Sequence, residues 1–233
     1  MGAGSEARWT AETEPGSEAT KAGASALPGS GGRFLKRCVD LTLALLLGIS
    51  VLPLFVALWV LIRLDSPGPG VYWCLRVGRG GRPFKCLKFR SMYQDAEWRL
   101  EEFLDTDPRL REEYGRYRKL RRDPRITRAG RILRRYSLDE LLQLWNVLKG
   151  EMSIVGPRPY DIVEVPLMAG AEWIIHAMRP GITGLWQVSG RNEASFAERI
   201  ALDVRYVRNW SASMDLEILV RTIPVVLSGT GAY

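Results

Sequence analysis

A chain of 233 residues, 46% of them hydrophobic, is long enough to bury one substantial domain and carry an appendage. Its net charge of +7 points to an anionic partner (nucleic acid, acidic lipid or a phosphorylated substrate) without choosing among them. The three cysteines, Cys38, Cys74 and Cys86, are odd in number and scattered, which excludes a zinc spacing or a paired disulfide framework and fits a reducing compartment.

In chain order, Met1–Gly32 is rich in Gly, Ala, Ser, Glu and Thr and has no apolar periodicity, so a disordered tail is expected there. Its polar, acidic start does not suit a signal peptide. From Leu41 to Ile62 only Thr42 and Ser50 are polar. A straight helix of that length would rise roughly 33 Å, enough to cross a hydrocarbon core of ~30 Å. Against a simple span stand Pro53 in its middle and basic residues on both flanks, Arg33, Lys36 and Arg37 before and Arg63 after. A bend at Pro53 would leave two arms of about ten residues that enter and leave by one face. A proline-kinked span is the alternative, and physics alone does not separate the two.

Next, "VYWCLRV" and "PFKCLKF" read as strands joined by a "GRGG" hairpin turn. The charged stretch from Asp95 to Asp123 predicts a solvated helix pair broken at Pro108, and Arg121–Arg135 a basic helix with a greasy edge at Ile126, Ile132 and Leu133. A basic, partly apolar helix near a membrane segment suits anionic headgroups. In "RRYSLDELLQLWNVLKGEMSIVGPRP", Asp139 and Glu140 head an apolar helix, and Ser137 with Glu140 has the spacing of a capping box. "GPRP" and "RPGITGLWQVSGRN" read as Gly/Pro-rigid loops. His176, the only histidine, reads as a surface helix residue with no nucleophile motif near it. "SFAERIALDVRYVRNW" carries Phe196, Ile200, Val204 and Val207 on one helical face, and "SMDLEILVRTIPVVLSG" is a last amphipathic helix.

A site for a diphosphate substrate needs cations around the phosphates and one or two carboxylates for a metal. Arg134, Arg158, Arg179 and Arg191 supply guanidinium forks on or beside rigid loops, and Asp139 and Glu140 supply the acids. "VGRGG" is too short for a dinucleotide fingerprint. Binding nucleic acid or lipid without turnover would need basic and aromatic residues but no acid pair, which argues against a nucleic-acid partner.

From about Phe34 onward the chain resembles the bacterial sugar transferase family, the monotopic polyprenyl-phosphate phosphoglycosyl transferases. The resemblance is carried by "KRCVDLTLALLL", "DSPGPGVYW…RVGRGGRPFKCLKFRSM", "SLDELLQLWNVLKGEMSIVGPRP" and "RPGITGLWQVSGRN", in that order. It implies transfer of a sugar-1-phosphate from a UDP-sugar to undecaprenyl phosphate with release of UMP. Asp139 takes the position of the nucleophile and magnesium ligand, and Glu140 that of its acid/base neighbour. Lys88, Arg90, Arg134, Pro157, Arg158, Pro159, Arg179 and Arg191 take substrate-binding positions. The implied fold is α+β and mostly helical: a tail over 1–32, a Pro-broken re-entrant membrane helix over 33–63, and a catalytic domain over 64–233. That domain would hold a short β-hairpin and interfacial amphipathic helices at the cytoplasmic face of the inner membrane, against anionic lipids; a homo-oligomer is compatible with it. No membrane-spanning bundle precedes the motifs, so the likeness is to the small, minimal form. Two departures stand out. The family's Ser-Pro break becomes Ser50 and Pro53, with Leu52 before the proline, and Cys74 replaces a glutamine common in the first strand. The alternative reading is a catalytically silent, membrane-tethered protein that binds anionic ligands or anchors a complex.

Overall fold

The computed structural model describes residues 29–117, 120, 122–189 and 194–228. The tail expected over 1–32 therefore falls outside the described residues up to position 28, and its last three residues already belong to the first helix.

That helix, α1 (Ser30–Ser50), is followed after Val51 by α2 (Leu52–Asp65), and the pair is bent by 61°. Pro53 sits in the first turn of α2, where an amide N–H has no intrahelical partner to lose. Ser50 donates its hydroxyl to the carbonyl of Leu46 at 2.8 Å, so the displaced serine still bonds back into the helix it ends. Among the described residues no single helix is long and apolar enough to cross a membrane, whereas the bent pair together passes that test. Leu45, Leu46, Ile49, Leu52 and Val56 are exposed around the bend.

β1 (Val71–Val77) and β2 (Pro83–Phe89) form the expected antiparallel hairpin, with Cys74 opposite Cys86 and Tyr72 opposite Lys88. The charged helix pair is α3 (Ala96–Thr106) and α4 (Pro108–Tyr117), divided where the sequence placed the break. α5 (Arg128–Arg135) starts at Thr127, whose hydroxyl oxygen accepts from Gly130 N–H at 2.9 Å. Gly130 is needed there, because a Cβ would lie 2.0 Å from the carbonyl oxygen of Ser91. Leu133 is the buried edge of α5, while Ile132 points outward.

After a single 3-10 turn at Leu138–Glu140 comes α6 (Gln143–Lys149). Then β3 (Ser153–Val155), a 3-10 segment at Ile162–Met168, α7 (Glu172–Ile175), β4 (Gly181–Thr183), α8 (Leu185–Ser189), α9 (Phe196–Arg208) and α10 (Ala212–Ser228) complete the described chain. β3 and β4 pair in parallel; β4 falls inside the stretch read as a loop, "RPGITGLWQVSGRN", and β3 just ahead of the "GPRP" loop, where no strand is expected. The pairing depends on close backbone contact, since a Cβ on Gly156 would lie 2.5 Å from the carbonyl oxygen of Arg179.

The main core gathers Ala44 of α1, Phe84 and Cys86 of β2, Leu144 and Val147 of α6, Ile154 and Val155 of β3, and Tyr206, Val207 and Ile218 from the last two helices. Polar ties fix the elements. Asp40 accepts from the Ser153 hydroxyl and from Ile154 N–H, and Lys36 pairs with Asp215 at 2.6 Å. The predicted face of α9 is buried as expected: Phe196, Ile200 and Val204 pack on Tyr160, Met168 and Ile175. His176 is a correction. It lies buried just after α7, because its own carbonyl accepts from Gly80 N–H and draws it under the hairpin turn. Burial lowers its ring to about 4, so it is neutral there.

Candidate active site

The site begins at Asn146 of α6. Its amide oxygen accepts from Leu87 N–H at 3.0 Å and its nitrogen donates to the Lys85 carbonyl at 2.8 Å, which fixes β2 against α6. One residue further along β2, Lys88 therefore faces the turn ahead of α6 and pairs with Glu140 at 2.6 Å. The expected capping box is absent. Ser137 has φ of 55°, in the left-handed region, and makes no side-chain cap; Glu140 is turned to Lys88 instead. The acids also precede the seven-residue α6 and do not form its first turn.

Asp139 is buried beside this pair. Burial pushes its carboxyl above the ordinary range; Glu140 adds to the effect, and Lys88 and Arg134 oppose it. For Glu140, burial acts upward as well, but Lys88 with help from Arg158 and Arg134 outweighs it, and this carboxyl lies below its ordinary range. The two acids are thus held in opposite directions, the pattern that separates acid and base roles in one site. Lys88, although desolvated, is held protonated by both acids.

Arg134 reaches the pair from α5, its Nε donating to Ser91 Oγ at 2.9 Å. Arg158 arrives from the loop after β3, between the buried Pro157 and the half-buried Pro159. Its backbone N–H donates to Asp203 at 3.0 Å and its guanidinium lies 5.2 Å from the Trp186 ring centroid. The Arg158 Nε is buried without a hydrogen-bond partner, as is that of Arg90. Asp203 was not singled out in the sequence. It also accepts from Tyr160 at 2.9 Å, and burial raises it to about 7.

Lys88, Arg134 and Arg158 therefore converge on Asp139 and Glu140; the other expected contacts do not. The guanidinium of Arg90 is buried on the carbonyls of Ser66 (2.6 Å) and Pro67 (2.7 Å), tying down the end of α2. Arg179 donates to the Gly150 carbonyl at 2.7 Å, at the far end of α6. With Arg33, Lys36, Arg37 and Arg79 it lines a shallow cleft there. Arg191 lies outside the described residues. Asp139 and Glu140 suit a magnesium ion, which takes one or two carboxylates and completes its shell with water and phosphate oxygens. Among the described residues no group of three or more His, Cys, Asp or Glu forms a cage without substrate.

The family model described as "Bacterial sugar transferase" matches residues 31–229. The chain belongs to the bacterial sugar transferase family. It is 51% identical over 201 residues to the UDP-galactose-lipid carrier transferase of Erwinia amylovora, covering 86% of this chain and 42% of that protein. It is 46% identical over 202 residues to the exopolysaccharide production protein ExoY of Sinorhizobium fredii, covering 87% and 89%. It is also 46% identical over 210 residues to the undecaprenyl-phosphate galactose phosphotransferase of Salmonella typhimurium, covering 86% and 42%. The chain thus spans less than half of the Erwinia and Salmonella proteins and most of ExoY. Within the sugar transferase family the acid turn, its three cations and the Pro-Arg-Pro loop form one candidate site.

Proposed function

We propose that this chain transfers a sugar-1-phosphate from a UDP-sugar to undecaprenyl phosphate. The observation that carries the reading is the pair of buried Asp139 and half-buried Glu140 beside Lys88, Arg134 and Arg158, an arrangement that suits a diphosphate brought against a carboxylate. The Asp139 oxygen attacks the sugar-bearing phosphorus, the bridging P–O bond breaks, and UMP leaves. An oxygen of undecaprenyl phosphate then attacks the same phosphorus, breaks the acyl-phosphate bond and restores the Asp139 carboxylate. A desolvated carboxylate with a raised pKa is a stronger nucleophile once ionised, and nearby cations offset the repulsion of two anions meeting. Glu140, held ionised by Lys88, orients that lysine and handles protons. Magnesium, held by Asp139 with the diphosphate oxygens, would add further charge neutralisation.

The bent α1–α2 pair is the membrane segment of this proposal, re-entrant from the cytoplasmic side of the inner membrane. Its apolar residues Leu45, Leu46, Ile49, Leu52 and Val56 are exposed, as a lipid-facing segment requires. α10 adds an exposed stripe of Leu216, Val220, Ile223 and Leu227, at the spacing of an interfacial helix. The names of the Erwinia and Salmonella relatives favour galactose as the sugar to try first.

The test is intact-mass measurement after UDP-sugar alone, beside UMP release with and without undecaprenyl phosphate. A phosphosugar adduct and UMP without acceptor are expected. A first half-reaction that strictly needs the acceptor would overturn the covalent route, and no UMP release from any UDP-sugar would favour a silent binding protein. Tags at both ends of the α1–α2 pair should be accessible from the cytoplasm only; an external N-terminal tag would exclude the re-entrant topology.

A further inference from the structure

Two of the three cysteines face each other across the hairpin. Cys74 on β1 and Cys86 on β2 are direct register partners. They share a face with Tyr72, Arg76, Phe84 and Lys88, since side chains alternate along a strand. That is the face whose Lys88 holds Glu140. The flanking bonds fix the kind of position they occupy. Arg90 N–H donates to Gly70 and Gly78 N–H to Arg82, so the even-numbered residues of β1 stand in hydrogen-bonded pairs. Such pairs have Cα atoms about 5.5 Å apart, within the span a disulfide can bridge.

The sulfurs are not inert packing. The Cys74 thiol is directed toward the Cys86 carbonyl oxygen, at 4.0 Å, and Arg76 Nε lies 3.3 Å from the Cys74 sulfur. Cys74 is half-buried and Cys86 fully buried, so one thiol can meet a small oxidant and the other stays protected behind it. Hydrogen bonding from Cys86, with the Arg76 charge beside it, holds the Cys74 thiol well below the usual thiol range, while Cys86 is held above it. This asymmetry separates an attacking sulfur from a resolving one.

We propose that Cys74 and Cys86 form a reversible thiol-oxidation site for hydroperoxides, whose closure to a disulfide slows the reaction at Asp139. The Cys74 thiolate attacks one peroxide oxygen and the O–O bond breaks, leaving a sulfenic acid and a hydroxide that takes a proton to become water. The Cys86 thiol then attacks the sulfenic sulfur, the S–O bond breaks, and a second water departs. The two thiols give up two electrons and the peroxide takes them. Side chains stand farther apart in a hydrogen-bonded pair than in a non-hydrogen-bonded one, so closure must bring the two Cβ atoms to within about 3.5–4.5 Å, and Lys88 is only two residues beyond Cys86. A shift of β2 therefore moves the cation that holds Glu140, and misplacement of about 1 Å in such a site is enough to lower turnover severely.

The experiment uses the full chain in lipid nanodiscs, treated with hydrogen peroxide and then alkylated with N-ethylmaleimide under denaturing conditions. Of the three cysteines, all are expected to be alkylated before treatment and Cys38 alone afterwards. The unalkylated protein should be lighter by about 2 Da, for two hydrogens lost. Sugar-phosphate transfer is expected to fall roughly tenfold and to return with dithiothreitol. Cys74→Ala and Cys86→Ala should each keep activity after the same peroxide treatment, before any reduction. Three alkylated cysteines after peroxide would overturn the proposal, as would an inactivation that both variants share. The activity arm rests on the transferase reading and the alkylation count does not, so a failure of either is distinguishable.

Discussion

Ser137–Glu140 and Ser195–Glu198 carry the same Ser-x-x-Glu spacing and have opposite fates. At the start of α9 the local signal prevails. Glu198 N–H donates to Ser195 Oγ at 3.3 Å, and the Glu198 carboxylate accepts from Ser195 N–H at 2.7 Å. Ahead of α6 it does not, because Lys88 on β2 takes the Glu140 carboxylate at 2.6 Å. An ion pair in a half-buried site, with charge on both partners, is stronger than a carboxylate accepting from a neutral backbone N–H at an exposed helix end. Ser137 is then left in the left-handed region with nothing to cap. A short-range signal holds where no distant ion competes for its carboxylate, and its failure marks where one does.

The largest effect that would sharpen this contrast is Asp139→Asn. It is nearly isosteric and should stay folded, yet lose turnover by roughly three orders of magnitude or more, together with the covalent adduct. An adduct persisting in Asp139→Asn would rule out Asp139 as nucleophile. Lys88→Met comes next, with an expected loss of about 10²–10³ in kcat. It also tests the electrostatics. Lys88 holds down both carboxyl pKa values, so without it both rise, and the acid limb of the kcat/KM profile should move to higher pH. An unmoved limb would mean that Lys88 does not act on the acids. Arg158→Lys keeps the charge but loses the fork, and roughly a tenfold loss in kcat/KM is expected at subsaturating UDP-sugar.

The remaining variants probe the two serines. Ser195→Ala should lower stability by about 1 kcal/mol in a denaturant titration and leave kcat alone. Ser137→Gly should be smaller still, neutral or stabilising by a few tenths of a kcal/mol, because glycine accepts φ of 55° without strain. A loss at Ser137→Gly as large as that at Ser195→Ala would show that a cap operates at both places.

What the residues disclose follows the range of the forces involved. The two strands of the hairpin and its turn were legible, since "GRGG" between two strand-forming runs marks the turn locally. The α3–α4 break at Pro108 and the buried face of α9 were legible for the same reason. The β3–β4 pair was not, because three-residue strands inside Gly/Pro-rich segments show no periodicity and are made by a contact between residues some thirty positions apart. In the site, the acids and Arg158 stood out by motif. Counting arginines could not tell Arg158, whose guanidinium lies over Trp186 and acts on Glu140, from Arg90 and Arg179, which are spent on carbonyls. Asp203 could not be told from a solvated helix acid until Tyr160 and the Arg158 backbone were seen to converge on it.

The 61° bend at Val51 also bears on which membranes this chain would suit. A straight span has two ends that must both reach headgroups, so its fit changes with the distance between the two leaflets' surfaces. In the re-entrant arrangement proposed above, a helix pair that turns back has its polar ends on one side only. The opposite surface sets no length for it to match, and thickening or thinning the bilayer changes what lies beyond Val51 without pulling on either arm. Insertion by such a wedge would depend instead on the lateral packing of a single leaflet, and the α1–α2 pair would hold the acid turn at a constant depth in membranes of different thickness.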